Sequence, residues 1–232
     1  MGRRSARTEE GAFVVEGRSL VEQALAAGWH VEGQYLAPDT EPVPCDAPAY
    51  QLAPGVLERV ASTEAPQPVL AVVLHRPDLL PVDPTFVVVA DRLADPGNAG
   101  TIIRSAEAAG ADAVVLTPGS VDPYNPKVVR STAGSLFRVP VLTLGIDEVR
   151  ALGLRVLATS SHRGEAHTET DLTGPIALVV GNEAHGVDDD APVDGWVTIP
   201  HAGAAESLNV AMAATVLAFE VARQRRARAA DR

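Results

Sequence analysis

Four short blocks of this chain place side chains and backbone turns where they could do chemistry. Gly181-Asn182-Glu183-Ala184-His185-Gly186 is followed by Ile199-Pro200-His201 and then by Glu206-Ser207-Leu208-Asn209-Val210. Upstream lie Asp95-Pro96-Gly97-Asn98 and, six residues beyond Asn98, Arg104. The polar groups on offer are Arg104, Glu183, Asn98 and Asn209, set among tight turns and without a cysteine nucleophile. Such an inventory suits holding a nucleoside-like cofactor and a phosphate-bearing substrate. It suits proteolysis or redox chemistry poorly.

Each block admits a structural and a functional reading. Asp95–Gly100 opens a predicted helix, where free amide groups make a natural anion site, yet Asn98 can equally serve as a helix cap. The stretch has G-x-x-G and not the G-x-G-x-x-G of a dinucleotide fingerprint, which disfavours a nicotinamide-dependent oxidoreductase. Gly181–Gly186 has G-x-x-x-x-G spacing but continues into Val187-Asp188, so it is no phosphate-cradling P-loop. Glu183 in that loop can hold backbone amides or face a ligand. Asp188-Asp189-Asp190 raises a metal reading, but consecutive carboxylates point apart and more often form a solvated turn. Ser207 and Asn209 can cap the last helix, or their loop can clasp a ring between Ile199 and Leu208. The six histidines show no i,i+4 pair of the kind that binds zinc.

The elements needed to position these blocks are legible in outline. Ser19-Leu20-Val21-Glu22 has capping-box form and predicts a short helix ending at Gly28. Val69–Leu74 reads as a buried strand. His75–Pro84 contains three prolines and predicts a linker, giving a boundary between residues 1–80 and 81–232. Beyond it, Phe86–Ala90, Ala113–Thr117, Leu154–Thr159 and Ile176–Val180 read as strands. Asn98–Ala109 and Ser207–Arg228 read as helices. Apolar strands alternating with helices predict an α/β domain with a parallel sheet covered on both faces.

Bulk composition narrows the classes. Of 232 residues, 46% are apolar, enough for a sizeable core. One cysteine, Cys45, excludes an intramolecular disulfide, and the polar N-terminus lacks the apolar run of a signal peptide. No apolar stretch reaches membrane-spanning length. The expectation is a reduced, cytoplasmic protein. The net charge of −11 runs against nucleic-acid binding, but the positive charge is almost all arginine and gathers at the ends: Arg3, Arg4 and Arg7, then Arg223, Arg225, Arg226 and Arg228. Arginine suits phosphate because its planar fork donates in pairs. The alternative is that these arginines are solvated, frayed termini.

Taken in order and spacing, the blocks resemble the signature motifs of the SpoU/TrmH family of RNA 2′-O-ribose methyltransferases. The resemblance runs from about Phe86 to Arg225 and includes Asp122-Pro123-Tyr124-Asn125-Pro126-Lys127 and Ser135-Leu136-Phe137-Arg138-Val139-Pro140. The first 80 residues resemble the small substrate-recognition domain that many members carry. The resemblance implies a parallel-sheet α/β catalytic domain with a C-terminal trefoil knot, a departure from the rule that chains are unknotted. It implies a small N-terminal α/β domain, a homodimer, and S-adenosylmethionine bound in the knot. By the same resemblance, cofactor contacts fall on Thr159, Gly181, Ile199, Pro200 and Leu208, and catalytic or supporting roles fall on Asn98, Arg104, Glu183, Ser207 and Asn209. The implied substrate is RNA, 23S ribosomal RNA ahead of transfer RNA; an inactive RNA-binding module of the same fold is the alternative. Ala184-His185 and Ala211 depart from the usual family residues and bear on substrate preference.

Three expectations follow. A guanidinium stays protonated and is a poor base, so Arg104 is expected to hold RNA phosphate and stabilise charge on the 2′-oxygen. Gly181→Val is expected to weaken cofactor binding with the fold intact. The last helix, bearing Leu208, Met212, Val216, Leu217, Phe219 and Val221, has more apolar surface than one covering helix needs, so part of it is expected to be a dimer interface.

Overall fold

Phe86–Ala90 and Ile176–Val180 are apolar at every position, and the two runs lie side by side as parallel strands, buried throughout. Continuous burial of this kind requires cover on both faces, which fixes the layered plan of the larger part of the chain. The computed structural model describes residues 3–60, 65–77 and 79–230. They fall into two compact units, Met1–Pro77 with Asp122–Arg138, and Asp78–Val121 with Val139–Arg232. A single cut after residue 80 therefore does not describe the contacts, because Asp122–Arg138 packs with the first unit.

The first unit begins with α1 (Arg4–Glu10), β1 (Ala12–Glu16), α2 (Arg18–Ala26), β2 (Val31–Leu36), β3 (Ala49–Gln51), α3 (Val56–Val60) and β4 (Val69–Leu74). Its sheet has the order β1-β4-β2-β3, antiparallel except between β2 and β3. Phe13, Val15, Ala71 and Val73 bury one face, and Trp29 donates from Nε1 to the Phe137 carbonyl at 3.0 Å. Arg7 is 3% exposed and meets Asp122 in an ion pair. The N-terminal arginines are thus not uniformly solvated or free for phosphate. Gly17, not Ser19, precedes α2 and gives no side-chain cap, while Glu22 lies 3.9 Å from Arg18 on the preceding turn. The capping-box reading of Ser19–Glu22 fails because the helix starts two residues earlier than that pattern requires.

The second unit continues with β5 (Phe86–Ala90), α4 (Pro96–Ala109) and β6 (Ala113–Leu116); after α5 (Pro126–Ser131), which belongs to the first unit, come β7 (Val141–Leu142), α6 (Ile146–Arg150), β8 (Arg155–Thr159), β9 (Glu165–Ala166), β10 (Ile176–Val180), β11 (Gly195–Thr198) and α7 (Val210–Ala230). The seven strands pair in parallel in the order β7-β6-β5-β10-β8-β11-β9. The chain moves outward from β5 to β7 and then returns to the other side of β5, so the sheet has a switch point between β5 and β8, filled by β10. Val87, Val89, Val156, Ala158, Ala177 and Val179 form one face of the core, where they join Val149 of α6. α4 and α7 pack together, with Ser105 and Thr215 bonded at 2.7 Å, and both touch the sheet. Arg225 of α7 donates to the Thr85 and Gly174 carbonyls and lies over the Phe86 ring, so it is a structural side chain. Arg223 pairs with Glu220 at 2.7 Å. No helix among the described residues is long and apolar enough to cross a membrane.

Candidate active site

The carboxyl ends of β5, β8, β10 and β11 point the same way, and the loops leaving them meet. This is where open parallel sheets hold ligands, next to the switch point. A cavity of about 540 Å³ opens there. Thr159, at the end of β8, lines it with Gly181 and Glu183 from the loop after β10. Ile199 after β11 lines it too, as do Ser207, Leu208 and Asn209 ahead of α7. Pro200 is exposed and stands outside the wall, as do Asn98 and Arg104.

Local chemistry explains how the loops are held. Asp95 caps α4 by accepting the Asn98 N–H at 2.8 Å, with Pro96 at the first helical position. That frees the Asn98 side chain, which therefore does not act as the cap. Its amide donates to Glu183 Oε1 at 3.1 Å, and its oxygen accepts from Asn209 Nδ2 at 3.1 Å. Glu183 also accepts the Asp95 N–H at 3.0 Å and the Ala94 N–H at 3.3 Å. Asn209 caps α7, its oxygen accepting from the N–H groups of Ala211 and Met212 at 2.9 and 3.3 Å. Ser207 makes no side-chain hydrogen bond among the described residues, so helix capping falls to Asn209 alone. Glu183, Asn98 and Asn209 thus form one chain of bonds tying three loops together. Burial opposes ionisation of Glu183, but the hydrogen bonds from Asn98 and from backbone N–H groups outweigh it and hold the carboxyl below its ordinary range.

Arg104 lies on the exposed side of α4 and has no hydrogen bond or ion pair among the described residues. It is a free guanidinium less than two helical turns from Asn98, available to a ligand outside the cavity.

Several participants escaped the sequence reading. Arg92 adopts φ 48°, a left-handed conformation unusual for a residue with a side chain. Its N–H donates to Thr117 Oγ1 at 2.8 Å and its carbonyl accepts from Asn182 Nδ2 at 2.8 Å. Its guanidinium bridges Asp91 and Asp188, at 3.0 and 2.8 Å, and bonding to Arg92 holds the Asp188 carboxyl low. Asp189 turns instead to Arg163, at 2.7 Å, and Arg163 lies 3.4 Å over the centre of the Trp196 ring. The aspartate run therefore forms ion pairs with two separate arginines, and no group of three or more potential metal ligands occurs among the described residues. Asn182, inside the glycine-framed block, carried a usable signal. Arg163 and Trp196 carried none, because their meeting depends on β11 lying beside β8.

Gly181 is required for a reason different from the expected one. A Cβ built on it would collide with the backbone of Gly186 and Val187. The loop folds back so that the Asn182 and Gly186 N–H and carbonyl groups pair at 3.1 and 2.8 Å. Gly181→Val is therefore expected to disturb the fold locally, correcting the expectation of an intact fold. Forcing a side chain into packed surroundings costs roughly 1–3 kcal/mol, or about 2–4 °C of melting temperature per kcal/mol for a chain of this size. Calorimetry in the absence of ligand checks this; a variant melting with the wild type would contradict it.

A parallel sheet with a glycine-framed cavity at its strand ends, braced by a carboxylate–asparagine network, defines an α/β protein with a switch-point ligand site. The chain belongs to the SpoU rRNA methylase family: residues 85–219 match the model of that family, and residues 1–71 match an MRM3-like substrate binding domain. It is 38% identical to the 23S rRNA (guanosine(2553)-2′-O)-methyltransferase RlmP of Bacillus subtilis, over 93% of this chain and 90% of that protein. It is 36% identical to the 23S rRNA (uridine(2479)-2′-O)-methyltransferase of Streptomyces viridochromogenes, over 97% and 87%. The crystal structure of the SpoU methyltransferase AviRb from Streptomyces viridochromogenes in complex with AdoMet superposes with a TM-score of 0.87, at 34% identity, covering 97% of this chain and 94% of that one.

Proposed function

We propose that this chain transfers a methyl group from S-adenosylmethionine to a ribose 2′-hydroxyl of 23S ribosomal RNA, in the cytoplasm. The observation that carries this reading is the end-to-end likeness to two proteins named as 23S rRNA 2′-O-methyltransferases, covering both units of the chain. The cavity fits the cofactor. Val187, Val197, Ile199, Leu208 and Leu217 give it apolar wall for a purine, and Arg163 adds a permanent cation for a carboxylate. Thr159, Gly181, Ile199 and Leu208 would hold it there.

When bound, S-adenosylmethionine supplies an activated methyl group, so the protein's task is to orient the hydroxyl and manage its proton. Glu183, Asn98 and Asn209 keep the three loops in register. Arg104, exposed and unpaired, meets the RNA phosphate beside the target ribose and stabilises negative charge building on the 2′-oxygen. The phosphate or a water takes the proton. Tritiated-methyl transfer tests the activity: label should enter 23S ribosomal RNA from cells lacking the gene, as 2′-O-methylnucleoside. Label in transfer RNA alone would redirect the substrate, and no label in any RNA would reduce the chain to a binding module.

The C-terminal segment is proposed to form a deep trefoil knot, supported by β10 entering between β5 and β8 and by α7 returning onto α4. A homodimer is proposed from α7, where Met212, Val216 and Phe219 are 59%, 40% and 43% exposed at i, i+4, i+7 spacing. Leu217 and Val221 are buried in their own chain and leave the interface. Met212→Glu with Phe219→Glu is expected to turn a dimer into a monomer in sedimentation at micromolar concentration. A wild type that sediments as a monomer would overturn the assembly.

A further inference from the structure

The cavity wall contains one permanent cation, and its surroundings hold it in place. The guanidinium carbon of Arg163 lies over Trp196, 3.4 Å from the ring centre, with Asp189 at 2.7 Å. Its own backbone is fixed as well. Gly164, at φ 110°, passes so close to β11 that a Cβ would strike the backbone of Trp196 and Val197, and β9 then pairs with β11. Asp189 is 91% exposed and engages one end of the guanidinium, so the ion pair by itself contributes little to stability. The remaining N–H groups of the fork have no acceptor among the described residues. A cation oriented in advance, with donors to spare, is built to receive a second anion.

We propose that Arg163 binds the α-carboxylate of the cofactor's amino-acid end, with Asp189 beside it facing the α-ammonium. This rests on the reading of the cavity as a site for S-adenosylmethionine, whose only anionic group is that carboxylate. The neighbouring carboxylates divide between two tasks: Glu183 is saturated by Asn98, Asp95 and Ala94, whereas Asp189 is open to solvent. Opposite charges side by side on the wall match the zwitterionic end of an amino acid. The apolar wall at Ile199 and Leu208 is left for the base.

Calorimetric titration of the full chain with S-adenosylhomocysteine and with 5′-methylthioadenosine, which lacks the amino-acid end, tests this without methyl transfer. Arg163→Met keeps an unbranched, polarisable side chain that can pack on Trp196 and removes the charge. It is expected to weaken S-adenosylhomocysteine binding about 10- to 100-fold, as for loss of a charged hydrogen bond, and to leave 5′-methylthioadenosine within about twofold. Arg163→Lys should fall between, since it keeps the charge and loses the paired donors. Unchanged S-adenosylhomocysteine affinity in Arg163→Met overturns the proposal while the cavity reading stands. Equal loss for both ligands also overturns it and makes Arg163 a structural brace of the wall. If the wild type binds neither ligand, the cavity reading falls and takes this proposal with it.

Discussion

Arg104→Ala is expected to slow methyl transfer by about 10²–10³, the usual effect of deleting one charge-stabilising donor, while cofactor affinity stays at the wild-type value. The split follows from position. Arg104 is exposed on α4, bonded to nothing among the described residues and off the cavity wall, so its removal disturbs neither the core nor the cofactor's surroundings. A group that acts only on charge appearing in the transition state lowers the rate without weakening ground-state binding. Arg104→Lys should recover part of the rate, because it restores charge without the planar fork. Single-turnover transfer at saturating RNA and cofactor, with parallel titrations of cofactor, separates these outcomes. A wild-type rate in Arg104→Ala would make the residue a bystander and remove the mechanism.

Glu183→Ala should lower transfer by about 10- to 100-fold, the equivalent of about 1.5–3 kcal/mol for a hydrogen bond to a charged group. Glu183 accepts from the Ala94 and Asp95 N–H groups and from Asn98, so the loop after β5 loses its attachment to the loop after β10. Glu183→Gln is a sharper test than it looks on size alone. Its oxygen can replace Oε1 toward Asp95 and Asn98, but its amide then presents a donor to the Ala94 N–H. The pH dependence has a definite sign. The folded carboxyl titrates below its ordinary value of 4.5, so its contribution to stability is complete above about pH 4.5 and is lost as pH falls through the lowered folded value. The melting difference between wild type and Glu183→Gln should hold steady from about pH 5 to 8 and close below pH 4.5. A difference that widens with acid would contradict the assignment.

The amino-acid sequence determined the α/β class, because strands buried on both faces must be apolar throughout. Phe86–Ala90, Val69–Leu74 and Ile176–Val180 are found at the limits their composition predicts. It also marked the loop ends that meet at the cavity, since glycine, proline and asparagine stand where chains turn sharply. Helix starts were less legible. Several capping residues stand close together, and only the final path selects Asp95 over Asn98 and Asn209 over Ser207. Charge misled in a similar way: Arg7 and Arg225 read as free terminal arginines, yet one sits in a buried ion pair and the other braces carbonyls below β5. The decisive arrangement, Arg163 over Trp196 and Glu183 under Asn98, was left to tertiary structure. Partners separated by 33 and 85 residues are brought together only by the order in which parallel strands are laid into the sheet, and local spacing carries no record of that order.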